Sequence, residues 1–189
     1  MTMATKLSPS LADPGADSPV STPAFREIMG SFPTGVTVIT CLDAEGNPVG
    51  LTANAVSSVS LAPPQLLICI GRDRYTAKAI QSRGAFAVHF LNSGQQQMAQ
   101  RFASPQSDKF AGLPIRSGLH GLPLLPDVLA CAQCELRSMI DAGDHLVFIG
   151  LVLRGEARQG DPLMYFRRNY GSWSGLQRPP EFLSREVAQ

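Results

Sequence analysis

Apolar, often β-branched residues alternate with polar ones along most of the chain, and Gly, Pro and Asn interrupt the alternation at short intervals. Residues 36–42 (VTVITCL) alternate strongly, which predicts a strand. Residues 43–48 (DAEGNP) predict a hairpin connection turning at Gly46 and Asn47. Residues 49–61 give one or two further strands, broken by Pro63-Pro64, and residues 66–70 (LLICI) begin a buried one. Residues 85–90 predict another buried strand. Two long strands, 128–140 and 145–157, follow on either side of Asp141-Ala-Gly-Asp144, and residues 163–166 close the set. Helical patterning is confined to short pieces. Residues 22–30 (TPAFREIMG) offer a Thr cap, Pro at the first helical position, and Phe25, Ile28 and Met29 on one face before Gly30. Residues 74–83 suit a second short helix, and residues 93–102 a third, starting after a Ser cap. Between 103 and 127 Gly and Pro recur without periodicity, which predicts a long loop of the functional or mobile kind. Many strands with short inserted helices indicate a mainly β, antiparallel barrel rather than a doubly wound sheet.

Composition narrows the classes. The 189 residues suit one domain with a sizeable core. A formal charge of +1 argues against nucleic-acid or membrane-surface binding through bulk electrostatics. No apolar run approaches the roughly 20 residues that span a bilayer. Residues 1–21 lack the apolar core of a secretory signal, and their Ser, Pro, Ala and Asp content predicts a flexible tail; a second tail is expected over 179–189. The domain is thus expected over 22–178, in a cytoplasmic protein. Cys131 and Cys134 form a CxxC, but no second pair accompanies it and the segment patterns as a strand. Residues three apart on a strand point to opposite faces, so no metal site is expected; reduced, partly buried thiols are favoured over a redox CxxC, which would have to open a helix.

The chemistry must come from elsewhere. There is no GxGxxG after a first strand, no GxxxxGK[ST], no GxSxG and no HExxH, which leaves a borrowed cofactor as the simplest source of reactivity. Residues 50–64 (GLTANAVSSVSLAPP) set Thr52, Asn54, Ser57, Ser58 and Ser60 among small apolar residues. Such hydroxyls suit a ligand rich in phosphate and carbonyl oxygens, and equally suit a Ser-rich edge strand facing water. Arg72, Arg74 and Thr76 precede or open a helix, where free N–H groups favour an anion. Solvated surface is the competing account of either arginine.

The company of these residues decides between the readings. FPTGVTV (32–38), GLTANAVSSVSLAPP (50–64), FAVHF (86–90), GDHLVFIG (143–150) and LMYFRRNY (163–170) come in an order and spacing that closely resemble the flavin reductase-like family. Its members are the small NAD(P)H-dependent partners of two-component flavin monooxygenases. The resemblance runs from about Phe25 to about Trp173.

It implies an FMN-binding split barrel, Greek-key-like with short peripheral helices, usually a homodimer with FAD or FMN at the interface. Carried over by position, Thr52, Asn54, Ala55, Ser58, Val59 and Ser60 would contact the flavin, with Pro33 and Thr34 lining the neighbouring wall. Gly143, Asp144 and His145 match the family's GDH motif, whose His contacts the nicotinamide. His145 would orient NADH rather than act as an obligatory base, because hydride transfer needs geometry more than proton abstraction. Asp144 would fix the turn or the imidazole tautomer. Tyr165, Arg168 and Tyr170 in the final motif would cover the nicotinamide or the flavin tail. His89 fills a strand position that reads Asn in many relatives, so a flavin contact and a hydrogen-bonded wall histidine both remain open. His120 stays unassigned.

The expected function is an NAD(P)H:flavin oxidoreductase, NADH preferred over NADPH, that releases reduced flavin to a separate monooxygenase. Two alternatives keep the flavin tightly held. One is an electron carrier; the other reduces a different acceptor, such as a corrinoid or metal chelate.

Overall fold

The computed structural model describes residues 18–106 and 108–172. Residues 1–17 of the expected N-terminal tail, the 179–189 tail and the expected domain end at 178 lie outside the described residues.

Helix α1 (Thr22–Gly30) leads into β1 (Thr34–Gly35) and β2 (Thr37–Leu42). Its cap is Ser21 rather than Thr22: the Ser21 side chain accepts from the Ala24 N–H, and Pro23 stands in the first turn, where its missing N–H is harmless. A hairpin joins β2 to β3 (Pro48–Ala53), and the Asp43 carboxylate accepts from the N–H groups of Glu45 and Asn47 to shape it. The expected stretch of one or two strands resolves into two, β3 and β4 (Val56–Leu61), linked by Asn54 and Ala55 alone. β5 (Pro64–Gly71), α2 (Tyr75–Arg83), β6 (Ala85–Phe90) and α3 (Gln96–Ala103) follow. The cap of α3 is Gln95, not Ser93, because Asn92 Oδ1 accepts from Gly94 N–H and forms a turn first.

One seven-stranded sheet carries the fold. Its order is β3-β2-β6-β9-β10-β5-β4, every neighbouring pair antiparallel, where β9 spans Ala130–Ala142 and β10 His145–Ala157. The two edge strands, β3 and β4, are consecutive in the chain. The two-residue link therefore draws opposite edges together at one end and curls the sheet into a barrel left open along the rest. The core lies inside this curl and under α2 and α3, with Ile39, Ile68, Phe86, Phe102 and Phe148 among its fully buried side chains. Burying each contributes about 1.5–3 kcal/mol.

The segment expected as a long loop is packed at Phe110 and over residues 122–125 and otherwise mostly exposed. It contains β7 (Arg116–Ser117), a 3₁₀ turn and β8 (Pro123–Leu124), and it buries Leu122, Leu124 and Leu125. Hydrophobic burial needs no regular backbone, and Gly and Pro had hidden the apolar content from a periodicity test. Thr40 Oγ1 donates to Pro123 O at 2.7 Å and fastens the segment to the barrel. A three-stranded sheet closes the fold: β1 pairs with β11 (Leu163–Phe166), and β11 with β12 (Asn169–Ser172). β12 was not expected, because Arg167 and Arg168 take positive φ angles of 46° and 67° in its turn, positions where Gly or Asn would have announced a hairpin.

Candidate functional site

The link between β3 and β4 also builds one wall of a groove of about 870 Å³. β3 occupies a sheet edge, so one side of its backbone is left without a partner strand and faces this space. The end of β5 (Cys69, Ile70, Gly71), His145 and the start of α2 (Arg74, Tyr75, Thr76) also line it, with the Arg74 N–H donating to Gly71 O at 3.0 Å. The C-terminus of α3 and the residues after it, among them Ser104, Gln106 and Lys109, complete the lining.

Among the described residues no Asp or Glu lines the groove, whereas Arg74 and Lys109 do. Lys109 Nζ donates to Phe102 O at 2.8 Å and Gly50 O at 3.3 Å. Burial, reinforced by the positive charge of Arg74, holds the Lys109 ammonium below its ordinary pKa. Two cations brought together without a carboxylate between them raise the potential of the groove and suit an anionic ligand. The first turn of α2 adds backbone N–H groups, since its cap residue Arg74 makes no side-chain capping bond.

The β9–β10 hairpin presents His145 to the same groove, opposite Gly71 in the β10–β5 register. Gly143 turns the chain at φ +62°, a conformation that a side chain disfavours. His145 Nδ1 lies 2.7 Å from Asp144 Oδ1. With Nδ1 donating to the carboxylate, the neutral ring keeps Nε2 as an acceptor. The hydrogen bond from His145, and then its charge when protonated, hold the Asp144 carboxyl below its usual pKa.

The structure brings Thr52, Asn54, Ala55, Arg74, Thr76 and His145 into this one groove. The Thr52 hydroxyl donates to Ala99 O at 2.6 Å, so it offers a ligand only an acceptor. Asn54 Nδ2 donates to Thr34 Oγ1 at 3.1 Å, which sets the Pro33-Thr34 wall beside the β3–β4 link. Thr34 stands opposite Tyr165 in the β1–β11 register, and the Tyr165 and Tyr170 rings pack at 5.1 Å. That end of the final motif therefore adjoins the wall, while Arg168 sits in the β11–β12 turn. Ser58 and Val59 lie exposed and Ser60 half-buried on β4, outside the groove lining. Gly143, Asp144 and Arg72 lie behind His145 and likewise do not line it.

His89 requires a correction as a cofactor contact. It is fully buried, with Nδ1 3.1 Å from Val38 O and Nε2 accepting from the Leu125 N–H at 3.2 Å. Both ring nitrogens are committed to the barrel wall, and desolvation pulls the pKa down to about 4, so the ring is neutral. Lys109 is the residue that sequence reasoning missed. A single lysine in a Gly- and Pro-rich stretch carries no spacing cue; only the folded path of the segment shows where it goes.

Among the described residues no group of three or more His, Cys, Asp or Glu clusters as a metal site would. All four cysteines are free thiols, and burial pushes Cys131 up to about 11 and Cys134 up to about 12. No helix among the described residues is long and apolar enough to cross a membrane.

Residues 29–174 match the model of the flavin reductase like domain, and the chain belongs to that family. It is 45% identical to a flavin reductase (NADH) of Kitasatospora aureofaciens over 82% of this chain and 83% of that one. It is 40% identical to the reductase subunit of a flavin-dependent monooxygenase from Rhodococcus jostii (strain RHA1), covering 81% of this chain and 77% of the other. Among solved structures, the NADH:FAD oxidoreductase of Streptomyces globisporus C-1027, in complex with NAD and FAD fragments, superposes with a TM-score of 0.77. The two are 31% identical over 87% of this chain and 97% of that one.

Proposed function

We propose that this protein is an NADH-dependent flavin reductase that takes hydride from NADH onto FAD or FMN and passes the reduced flavin to a separate monooxygenase. One observation carries the assignment: an acid-free groove with Arg74 and Lys109 in its walls and the Asp144–His145 pair beside it. The donor set fits a flavin nucleotide. The free β3 edge with Asn54 and Ala55 supplies backbone and amide groups for the ring, while Arg74, Lys109 and the start of α2 take the phosphate. Once bound, the flavin supplies the hydride acceptor, and the protein's part is to orient its partner. His145 Nε2 accepts from the nicotinamide carboxamide, and Asp144 holds the ring in the tautomer that can do so. Tyr165 and Tyr170 cover the adjoining wall. The relatives named for NADH support that cofactor over NADPH, and the monooxygenase reductase subunit among them supports a monooxygenase as recipient.

The reductase domain in this reading spans residues 22–178, a limit supported by the family match at 29–174. The protein works as a homodimer, with Ser58, Val59, Ser60 and Arg168, exposed or nearly so in the single chain, meeting flavin where two copies join. It resides in the cytoplasm, a reducing compartment in keeping with four unpaired cysteines.

NADH oxidation by the purified protein, followed by absorbance with and without FAD or FMN, tests the function. Turnover rising to saturation with free flavin is the expected result. Turnover indifferent to added flavin, from a protein that purifies yellow, would assign a tightly held prosthetic group instead.

A further inference from the structure

Arg72 lies one residue beyond β5, alongside the Gly143-Asp144 turn, and it touches that turn three times. Its backbone N–H donates to Asp144 O at 3.0 Å. Its Nη2 donates to Gly143 O at 3.0 Å, and its Nη1 lies 2.7 Å from Asp141 Oδ1. The sheet holds the backbone on either side of this turn, through His145 opposite Ala142 and Gly71, but packing does not fix its side chains: that of Asp144 is 94% exposed and that of His145 47%. A solvent-exposed Asp–His pair is ordinarily free to exchange rotamers, since an exposed ion pair barely offsets the entropy of fixing it. Here Arg72, just beyond β5, holds Asp144 O through its backbone N–H and couples Gly143 O to the Asp141 carboxylate through its guanidinium, in a pair that is itself partly exposed. The planar guanidinium fork can satisfy two acceptors lying in different directions, which a lysine ammonium does less well.

The geometry points to Arg72 as the positioning residue of His145. It fixes the carbonyls of Gly143 and Asp144, and so holds the Asp144 carboxylate on Nδ1 and Nε2 toward the groove. The inference builds on the assignment of His145 to the nicotinamide. It also divides the two neighbouring arginines: Arg74 lines the groove and addresses the anion, whereas Arg72 stands outside it as a clamp. Hydride transfer is sensitive to placement, and a displacement of about 1 Å at an orienting group can cost on the order of a hundred-fold in rate.

Arg72→Gln, Arg72→Lys, Asp141→Asn and His145→Ala, each in the full-length protein, test it. The readouts are KM for NADH and kcat at saturating flavin, flavin Kd by fluorescence quenching, and the ¹⁵N shifts of the His145 ring. Arg72→Gln is expected to raise the NADH KM about ten-fold, the scale of losses when an outer partner of a working histidine is removed. Flavin Kd should stay unchanged, and the His145 shifts should move from a single tautomer towards a mixture. Asp141→Asn, which keeps an acceptor but removes the charge that pairs with Arg72, and Arg72→Lys should fall between wild type and Arg72→Gln. A flavin Kd that rises as much as the NADH KM would overturn the inference and return Arg72 to the flavin phosphate. An unchanged tautomer with unchanged KM in a folded Arg72→Gln protein would also overturn it. If the tautomer shifts in Arg72→Gln while His145→Ala leaves NADH kinetics untouched, the clamp stands and the nicotinamide assignment falls.

Discussion

His89 and His145 carry the same ring to opposite ends, and environment alone separates them. His89 is sealed in the barrel wall between Val38 O and the Leu125 N–H. Its folded pKa of about 4 lies below the ordinary 6.5, so below 6.5 the unfolded chain binds a proton that the folded one refuses. Its contribution is therefore complete above pH 6.5 and is lost as pH falls towards 4, about 3 kcal/mol in all. Urea midpoints across that window should fall in wild type and fall less in His89→Asn; parallel curves would mean that His89 does not carry the acid sensitivity. His145, on the groove, should instead register in kinetics. His145→Ala is expected to raise the NADH KM about ten-fold or more while sparing flavin Kd, because it removes one nicotinamide hydrogen bond of roughly 1.5 kcal/mol. Lys109→Met should do the reverse. It is expected to weaken flavin binding about ten- to thirty-fold by deleting a charge-assisted phosphate contact of about 1.5–2 kcal/mol, and to flatten the salt dependence of the flavin Kd. An unaltered Kd, read by fluorescence quenching, would take Lys109 out of the site.

Elements with an even pattern were legible from sequence, and those built on exceptions were not. The limits of β6 match the expectation at both ends, because FAVHF is apolar and β-branched enough to be buried on both faces. The β3–β4 link was legible as chemistry, through Asn54, but not as topology: nothing local to residues 50–61 says that the two strands lie at opposite edges of one sheet. β12 was hidden by two arginines in left-handed conformations, and the packed stretch 122–125 by the Gly and Pro around it. His89 stayed open between a flavin contact and a wall histidine because its partners, Val38 and Leu125, are distant in sequence. β10 shows how closely the barrel elements fit. At Gly150 a Cβ would stand 2.6 Å from Phe86 Cζ and 2.8 Å from Cys134 Cβ, so no side chain enters without displacing β6 or β9. Gly150→Ala is expected to destabilise the fold by about 1–3 kcal/mol through overpacking, read as a lower thermal midpoint, with the NADH KM unchanged in the folded fraction. A midpoint equal to wild type would show that the barrel yields there.

Across the molecule, the described residues leave apolar surface that they do not bury against one another. α1 buries none of its residues, and Phe25, Ile28, Met29 and Phe32 in and after it are each more than half exposed. On β4, Val59 and Leu61 also face solvent, beside the hydroxyls of Ser57 and Ser58. Exposed sets of this kind mark association surfaces, and closed two-fold dimers are their commonest outcome. If Ser58 and Val59 are flavin contacts as proposed, a dimer would bring them to the site, since in one chain they stand outside the groove that holds Asn54 and His145. Ile28→Glu therefore separates assembly from folding. The side chain is exposed in the single chain, so the substitution should leave its fold intact, whereas a charge buried in an apolar interface without a partner costs several kcal/mol. Sedimentation should find wild type as a dimer and Ile28→Glu shifted to monomer. The monomer should bind flavin more weakly, because the β4 face would then meet water instead of a second copy. A wild-type monomer that reduces flavin at full rate would confine the site to the groove of one chain and leave the α1 face to some other partner.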